Sequence, residues 1–186
     1  MGYPLGVFMA IRPILTSEQP LLREKSKKVT RFGDALHRLV EDMLDTMRAA
    51  YGLGLAAPQI GVLQRVVVIE MPPECDDDDN EIAPGETYVL VNPEIVKTRG
   101  EEEMEEGCLS VPGYRGLVKR ATYVVLKAQD AEGHDVRYRA DGLLAQAFQH
   151  ELDHLDGVLY LDRLEGADKL FRIGERESEA LGVDAE

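Results

Sequence analysis

Two stretches of the chain carry apolar residues at three- and four-residue steps, and each is predicted to be a helix. In residues 34–51 the apolar stripe lies opposite charged side chains, a pattern typical of a helix that packs against a core. In residues 141–157, Asp141 fits an N-cap and Gly157 fits a helix stop. The apolar positions of this second helix are Leu143, Leu144, Ala147 and Phe148.

Short apolar runs outside these helices predict strands. The predicted strands and extended segments are 65–70, 88–96, 121–129, 135–139 and 158–161. Residues 66–69 are continuously apolar, which favours a buried strand, and Asn92-Pro93 predicts a bend or an edge position in the next strand. Residues 130–134 include Gly133 and predict a hairpin turn.

The arrangement of these elements predicts an α+β fold. We expect antiparallel or mixed sheets packed around the second helix, followed by a charged C-terminal helix at about 167–181. The chain has no internal repeats and no long linker, so residues 1–186 fit a single domain. Met9 is a candidate alternative start, which would make residues 1–8 a dispensable extension.

Composition and charge narrow the classes of function. Hydrophobic residues make up 44% of the chain and charged residues 30%, an ordinary globular balance. The formal net charge of −14 argues against direct DNA binding, since phosphate contacts need clustered Lys and Arg. Without an apolar run of membrane-spanning length or a signal-peptide pattern, we expect a cytoplasmic protein with reduced thiols. Residues 71–87, which contain four consecutive aspartates, are predicted to be an acidic surface loop.

His150 and His154 stand four residues apart in the second predicted helix. This spacing places both imidazoles on one helix face, where they can bind a divalent metal while Glu151 moves protons beside it. An isolated His-Glu-x-x-His match can also be an ordinary charged helix face. A catalytic centre needs a third ligand, and His154 is the last histidine of the chain. Cys108 is a candidate, because a thiolate binds such metals well.

A glycine-rich segment at 52–61 joins the first helix to the first strand. It lacks the lysine and the hydroxyl residue of a phosphate-binding loop. Gly52 and Gly54 would let the backbone approach a ligand closely, and the alternative is a loop wedged into the core.

Three stretches together resemble the peptide deformylase family. They are Gly-Leu-Gly-Leu-Ala-Ala-Pro-Gln at 52–59, Glu-Gly-Cys-Leu-Ser at 106–110 and Gln-His-Glu-Leu-Asp-His-Leu-Asp-Gly at 149–157. The similarity extends over about residues 11–164. It implies that Cys108, His150 and His154 bind one divalent metal, ferrous iron in the family, which zinc, nickel or cobalt can replace. It also implies that the substrates are nascent polypeptides that begin with N-formylmethionine and that formate is a product of the reaction.

The same resemblance implies roles for further residues. Glu151 would accept a proton from water and return one to the departing amine, while the side-chain amide of Gln59 and the backbone N–H of Leu109 would stabilise the oxyanion. The implied substrate-binding residues are Gly52, Leu53, Gly54, Met104, Gly107, Arg115, Leu143 and Ala147. Leu143 and Ala147 also share a helix face with His150, which predicts a pocket for the methionine side chain.

Contacts that support the metal ligands are expected nearby. Glu106 is expected to pair with Arg120 and brace the cysteine loop, as a weak surface pair. Asp153 is expected to hydrogen-bond a ligand histidine. Gln146 is polar where relatives often carry an apolar residue, which would change the depth or polarity of the pocket.

Two other functions remain open from the residues alone. A thermolysin-type zinc endopeptidase would share the motif helix but use a third ligand other than Cys108. A non-catalytic metal-binding protein would need a fourth ligand, for which Cys75 is the only spare thiol. Some deformylases dock on the ribosome through a basic C-terminal helix, but residues 168–186 are acidic on balance, so any ribosome contact is expected to be transient.

Overall fold

The structure is a computed structural model that describes residues 10–75 and 81–174. The extension at residues 1–8, the aspartates at 76–79 and the C-terminal residues 175–186 therefore lie outside the described residues.

Both helices predicted from periodicity are confirmed, as α1 (Asp34–Ala49) and α2 (Gly142–Leu155). Asp141 occupies the N-cap position of α2, although its side chain makes no capping hydrogen bond. Gly157 follows α2 with a φ of 74°, and a Cβ at this position would lie 2.5 Å from the carbonyl oxygen of Arg23. The stop at Gly157 therefore needs glycine for both its backbone angle and its space.

The strands form three sheets. In chain order they are β1 (Gly54–Ala56), β2 (Val66–Met71), β3 (Glu74–Cys75), β4 (Glu81–Ala83), β5 (Glu86–Arg99), β6 (Glu102–Gly107), β7 (Tyr114–Arg120), β8 (Tyr123–Gln129), β9 (Asp135–Asp141) and β10 (Leu170–Arg172). The largest sheet has the order β1-β2-β5-β8-β9, a second has the order β10-β7-β6, and β3 pairs with β4. Every pairing between these strands is antiparallel, which confirms the α+β prediction.

The apolar run of β2 is continuous because both faces of this strand are covered. Val66 and Val68 belong to the core that includes the buried residues of α1. Val67 and Ile69 belong to the core that includes Phe148 and other buried residues of α2. The five-stranded sheet thus separates the two helices. A strand that is covered on both faces has no face in water, so its sequence need not alternate between apolar and polar residues.

β5 settles the two alternatives for the interrupted strand. It lies in the middle of the five-stranded sheet, so it is not an edge strand. Asn92 has a φ of 53°, and the pairing with β8 shifts register between Val91 and Glu94. The interruption is therefore a bend within a continuous strand, as expected at a bulge.

The hydrophobic pattern does not predict β6 and β7. Four of the six residues in β6 are glutamates, which strands disfavour, and only the pairing with β7 places them in a sheet. The start of the predicted C-terminal helix also differs. Ala167–Lys169 is a short 3-10 turn, and Leu170–Arg172 is a strand because it pairs with β7.

Two other irregular segments carry more order than expected. The predicted loop at 71–87 contains the hairpin formed by β3 and β4, in which Glu74 pairs with Ala83. The predicted extended piece at 158–161 leads into a 3-10 turn at Tyr160–Arg163. The ring of Tyr160 is buried there and stacks on His150, with ring centroids 6.3 Å apart.

Candidate metal centre

Cys108, His150 and His154 converge on one point. Cys108 directly follows β6, and both histidines lie on α2. The sulfur of Cys108 lies 3.2 Å from Nε2 of His154, and the ligand atoms of all three residues lie within 4.8 Å of one another. The two imidazole centroids are 5.0 Å apart, as neighbours one helical turn apart should be. A thiolate and two imidazoles grouped in this way suit a divalent transition metal.

A buried carboxylate orients His150. Oε2 of Glu106 accepts a hydrogen bond from Nδ1 of His150 at 2.8 Å, and the two oxygens of Glu106 accept from Arg120 at 2.6 and 3.0 Å. Burial favours the neutral form of Glu106, but the bonds from His150 and Arg120 outweigh burial and lower its pKa to about 2. The carboxylate can then only accept, so Nδ1 donates and Nε2 is left for a metal.

The predicted pair of Glu106 and Arg120 is present, and it is buried rather than exposed. The prediction that Asp153 bonds a ligand histidine is wrong. Asp153 accepts from Arg120 at 2.7 Å and from Arg163 at 2.6 and 2.9 Å. Arg120 and Arg163 together balance the charges of Glu106 and Asp153, and Asp153 reaches His150 only through Arg120 and Glu106.

The two histidines differ in their surroundings. For His154, burial and then the charge of His150 lower the pKa well below its usual range, which keeps the ring in the neutral form that binds metals. Its Nδ1 is buried without a hydrogen-bond partner among the described residues. Burial also acts on His150, but hydrogen bonds to Cys108 and Glu106 outweigh it and raise the pKa of His150 well above its usual range.

Glu151 is buried beside the first histidine, and glycine makes room for it. A Cβ on Gly54 would lie 2.5 Å from Oε1 of Glu151, so only glycine lets β1 pass so close to this carboxylate. Oε2 of Glu151 is buried and has no hydrogen-bond partner among the described residues. Burial raises the pKa of Glu151 to about 7, against the opposing charge of His150. The carboxylate can therefore gain or lose a proton near neutral pH.

Gln59 is fixed so that its amide group faces the cysteine. It lies in a 3-10 turn, Ala57–Ile60, that follows β1. Its Oε1 accepts from the backbone N–H of Ala56 at 2.8 Å, which leaves Nε2 3.1 Å from Oγ of Ser110 and 3.7 Å from Sγ of Cys108. A buried amide donor is thus held next to the candidate ligand set.

Known proteins share this arrangement of elements over most of the chain. A family model described as polypeptide deformylase matches residues 11–170. A peptide deformylase of Thermomicrobium roseum is 45% identical over 171 residues, which cover 92% of this chain and 96% of that relative. This chain belongs to the peptide deformylase family. The structure of a deformylase from Legionella pneumophila matches it with a TM-score of 0.75 at 46% identity, over 86% of this chain and 89% of that one.

A further deformylase structure contains a bound tripeptide. It is a class I type b enzyme from Acinetobacter baumannii with Met-Ala-Ser bound, and it matches this chain with a TM-score of 0.75 at 32% identity. The match covers 84% of this chain and 100% of that one.

The deformylase cavity has a volume of about 570 Å³ and is bordered by Cys108, His150 and Glu151. The predicted substrate-binding residues that line it are Gly52, Leu53, Gly54, Gly107, Arg115, Leu143 and Ala147. Gln59 and Leu109, the predicted oxyanion donors, line it as well. Met104 does not line the cavity, because it lies further back along β6, opposite Val118.

The cavity lining includes residues that sequence reasoning missed. The missed lining residues include the apolar side chains Tyr51, Val111, Pro112, Tyr114 and Ile173. Tyr51 directly precedes the glycine-rich segment, and this aromatic residue at a turn could have drawn attention to it. Gln146 lines the cavity as predicted, but its Nε2 donates to the backbone carbonyl of Glu105 at 2.8 Å, so its polar end is already satisfied.

No α-helix within residues 10–75 and 81–174 combines the length and apolar character that a membrane span requires.

Proposed function

We propose that this deformylase uses one divalent metal to remove the formyl group from the N-terminal formylmethionine of newly made polypeptides, releasing formate and a free α-amine. The observation that carries the proposal is the convergence of Cys108, His150 and His154 beside the buried carboxylate of Glu151, with Cys108, His150 and Glu151 lining one cavity. A thermolysin-type endopeptidase would have no thiolate among its ligand atoms, and a closed structural site would need a fourth ligand beside the three that converge here.

The donor set fits the proposed metal. Cys108, His150 and His154 would hold the ion, which we propose to be ferrous iron, with zinc, nickel or cobalt as possible substitutes. Two observations agree with a metal here: neutral His154 has its Nε2 within reach of the cysteine sulfur, and Glu106 bonds Nδ1 of His150, so that Nε2 is the nitrogen on the side of Cys108. When bound, such an ion polarises a carbonyl and acidifies water.

The chain's own residues supply the proton transfers. Glu151 would accept the proton that the attacking water loses and deliver one to the departing amine. Its unpartnered oxygen and its pKa near 7 suit both steps. Gln59 would donate its fixed amide N–H to the oxyanion, together with the backbone N–H of Leu109, so the donors need not reorganise during the reaction.

Two strand edges are available for the peptide backbone. β1 and β6 are each the last strand of their sheet, and residues of both line the cavity. A peptide strand between Gly54 and Gly107 would find unpaired backbone groups and little side-chain obstruction, which suits recognition by strand addition. The methionine side chain would lie against Leu143 and Ala147, on the face of α2 that carries His150.

We further propose a cytoplasmic location, since formylated nascent chains are the substrates. Contact with the ribosome would be transient, because residues 168–186 are acidic on balance. Direct DNA binding is not expected at a net charge of −14.

An anaerobic assay of formate release from formyl-Met-Ala, with metal analysis of the same sample, tests the proposal. We expect Cys108→Ala to lose both the bound metal and formate release. Cys75→Ala is the matched control, since Cys75 is exposed on β3, and we expect it to keep both. Retained metal together with cleavage of internal peptide bonds in Cys108→Ala would instead support an endopeptidase.

A further inference from the structure

Tyr51 occupies a backbone position that glycine usually fills. At the end of α1, the N–H of Tyr51 donates to the carbonyl oxygen of Arg48 at 3.1 Å, and the N–H of Gly52 donates to that of Met47 at 2.9 Å. This pair of bonds defines a Schellman motif, in which the residue after the C-cap must be left-handed. Tyr51 accordingly has a φ of 55°, where its Cβ crowds the backbone.

The ring of Tyr51 gains little packing in return. It is 98% exposed, the highest value among the exposed large hydrophobic residues described. Glycine would adopt the same angle without strain, and a polar residue would leave no apolar surface in water. Strained residues concentrate at functional sites, so an unburied aromatic ring at this angle points to a role in binding.

Tyr51 lies where two cavities meet. It lines the deformylase cavity and also a second groove of about 490 Å³. The residues of this second groove are Tyr51, Gly52, Leu53, Glu70, Met71, Pro72, Pro73, Gly85 and Thr87. Tyr51, Gly52 and Leu53 line both cavities, so the groove continues the deformylase cavity along the chain that enters β1.

The direction of a bound peptide follows from these positions. Gly54 marks the catalytic end, since its backbone passes close to Glu151. A peptide whose first residue lies at Gly54, beside Glu151, and which runs antiparallel to the chain that enters β1 would reach Tyr51 three residues later. At about 3.3 Å per extended residue this distance is roughly 10 Å, so Tyr51 would lie beside the fourth residue of the peptide.

We propose that Tyr51 determines specificity by binding the side chain of the fourth residue of the formylated peptide and guiding the following residues into the second groove. This inference rests on the proposed function. An aromatic or large apolar side chain is the expected occupant, because the ring of Tyr51 and the groove residues Met71, Pro72 and Pro73 offer apolar contact. Glu70 in the groove is already paired with Arg48, at 2.6 and 2.9 Å.

The test compares formate release from formyl-Met-Ala-Ala-Phe-Ala and formyl-Met-Ala-Ala-Gly-Ala. We expect the wild type to prefer the phenylalanine peptide in kcat/KM. Tyr51→Ala and Tyr51→Gly should lower this preference by about three- to tenfold, mainly through KM, while Tyr51→Phe should keep it. Ile11→Ala is the matched control, because Ile11 is 63% exposed and does not line either cavity, and it should leave the preference unchanged.

Two further measurements separate binding from folding. Tyr51→Gly should raise the Tm, because glycine adopts the angle without strain, so a loss of preference in this variant is not a loss of structure. Calorimetry with the product peptides Met-Ala-Ala-Phe-Ala and Met-Ala-Ala-Gly-Ala should show the same preference without turnover. Formate release with a preference that Tyr51→Ala and Tyr51→Gly leave intact would overturn this inference alone. No formate release by the metal-loaded wild type would overturn the proposed function as well.

Discussion

Glu106 and Glu151 are both buried beside His150, and they differ in which charges surround them. Glu106 is 4% exposed and bonds to His150 and Arg120, which hold its pKa at about 2. Glu151 is 5% exposed and has no arginine partner among the described residues, so burial raises its pKa to about 7. Equal burial thus gives one permanent anion and one group that can exchange a proton, a separation that agrees with the roles proposed for them.

The fold creates this difference by two means. β7 ends at Arg120, which lies between Glu106 and Asp153 and bonds to both carboxylates. β1 instead brings Gly54 against Glu151, and glycine supplies space without supplying charge. The metal centre therefore has a rigid side, where ion pairs fix a histidine, and an open side, where a carboxylate faces the cavity.

The largest expected effect is on the open side. Glu151→Gln removes the proton acceptor, so we expect formate release to fall by about 10²–10⁴-fold. Metal content should stay the same, and the Tm should not fall, because no ion pair is lost. Formate release, metal analysis and thermal unfolding on one preparation check this. Activity within tenfold of the wild type would show that Glu151 is not the proton carrier.

On the rigid side, the expected effect is on stability. Arg120→Met leaves Glu106 and Asp153 buried with less compensation, and we expect the free energy of unfolding to fall by about 3–5 kcal/mol. Denaturant unfolding of the metal-loaded protein measures this. The double variant Glu106→Gln with Arg120→Met is the control, because it removes one of the stranded charges and should recover part of the loss. A loss below about 1 kcal/mol would mean that the pair behaves like a surface pair.

The open side of the centre could be predicted from sequence, because its residues lie in short local patterns. Helical periodicity places His150, Glu151 and His154 on one turn of a helix, and the structure has them on α2. The approach of Cys108 and Gln59 comes from separate stretches, and family resemblance rather than periodicity anticipates it. The structure brings Cys108 within reach of both histidines, as expected.

The rigid side could not be predicted in the same way. Glu106 and Asp153 both lie within three residues of a ligand, and nothing local shows which of them meets a histidine. Which carboxylate meets a histidine depends on the pairing of β6 with β7. The hydrophobic pattern does not predict β6, because most of its residues are glutamates. Strand pairing between distant parts of the chain determines the partner of His150. The prediction for Asp153 was therefore wrong, although the helix that contains Asp153 was predicted correctly.

The smallest expected effect comes from a third glutamate that lacks burial. Arg48 donates two hydrogen bonds to Glu70, with the two side chains 50% and 35% exposed, so the comparison with Glu106 isolates what burial adds. The bond from Arg48 is the main cause that lowers the pKa of Glu70 below its usual 4.5. A lowered pKa means that the pair stabilises the protein above that usual value and loses its contribution as pH falls through the folded value.

We therefore expect Arg48→Met to lower the free energy of unfolding by about 0.2–1 kcal/mol at pH 7, as exposed pairs do. The difference from the wild type should shrink when unfolding is measured at about pH 3, because Glu70 is then increasingly protonated in both proteins. Added salt at pH 7 should shrink it as well, since exposed charges are screened. A difference of several kcal/mol, or one that grows in acid, would contradict the view that burial, and not pairing alone, sets Glu106 apart.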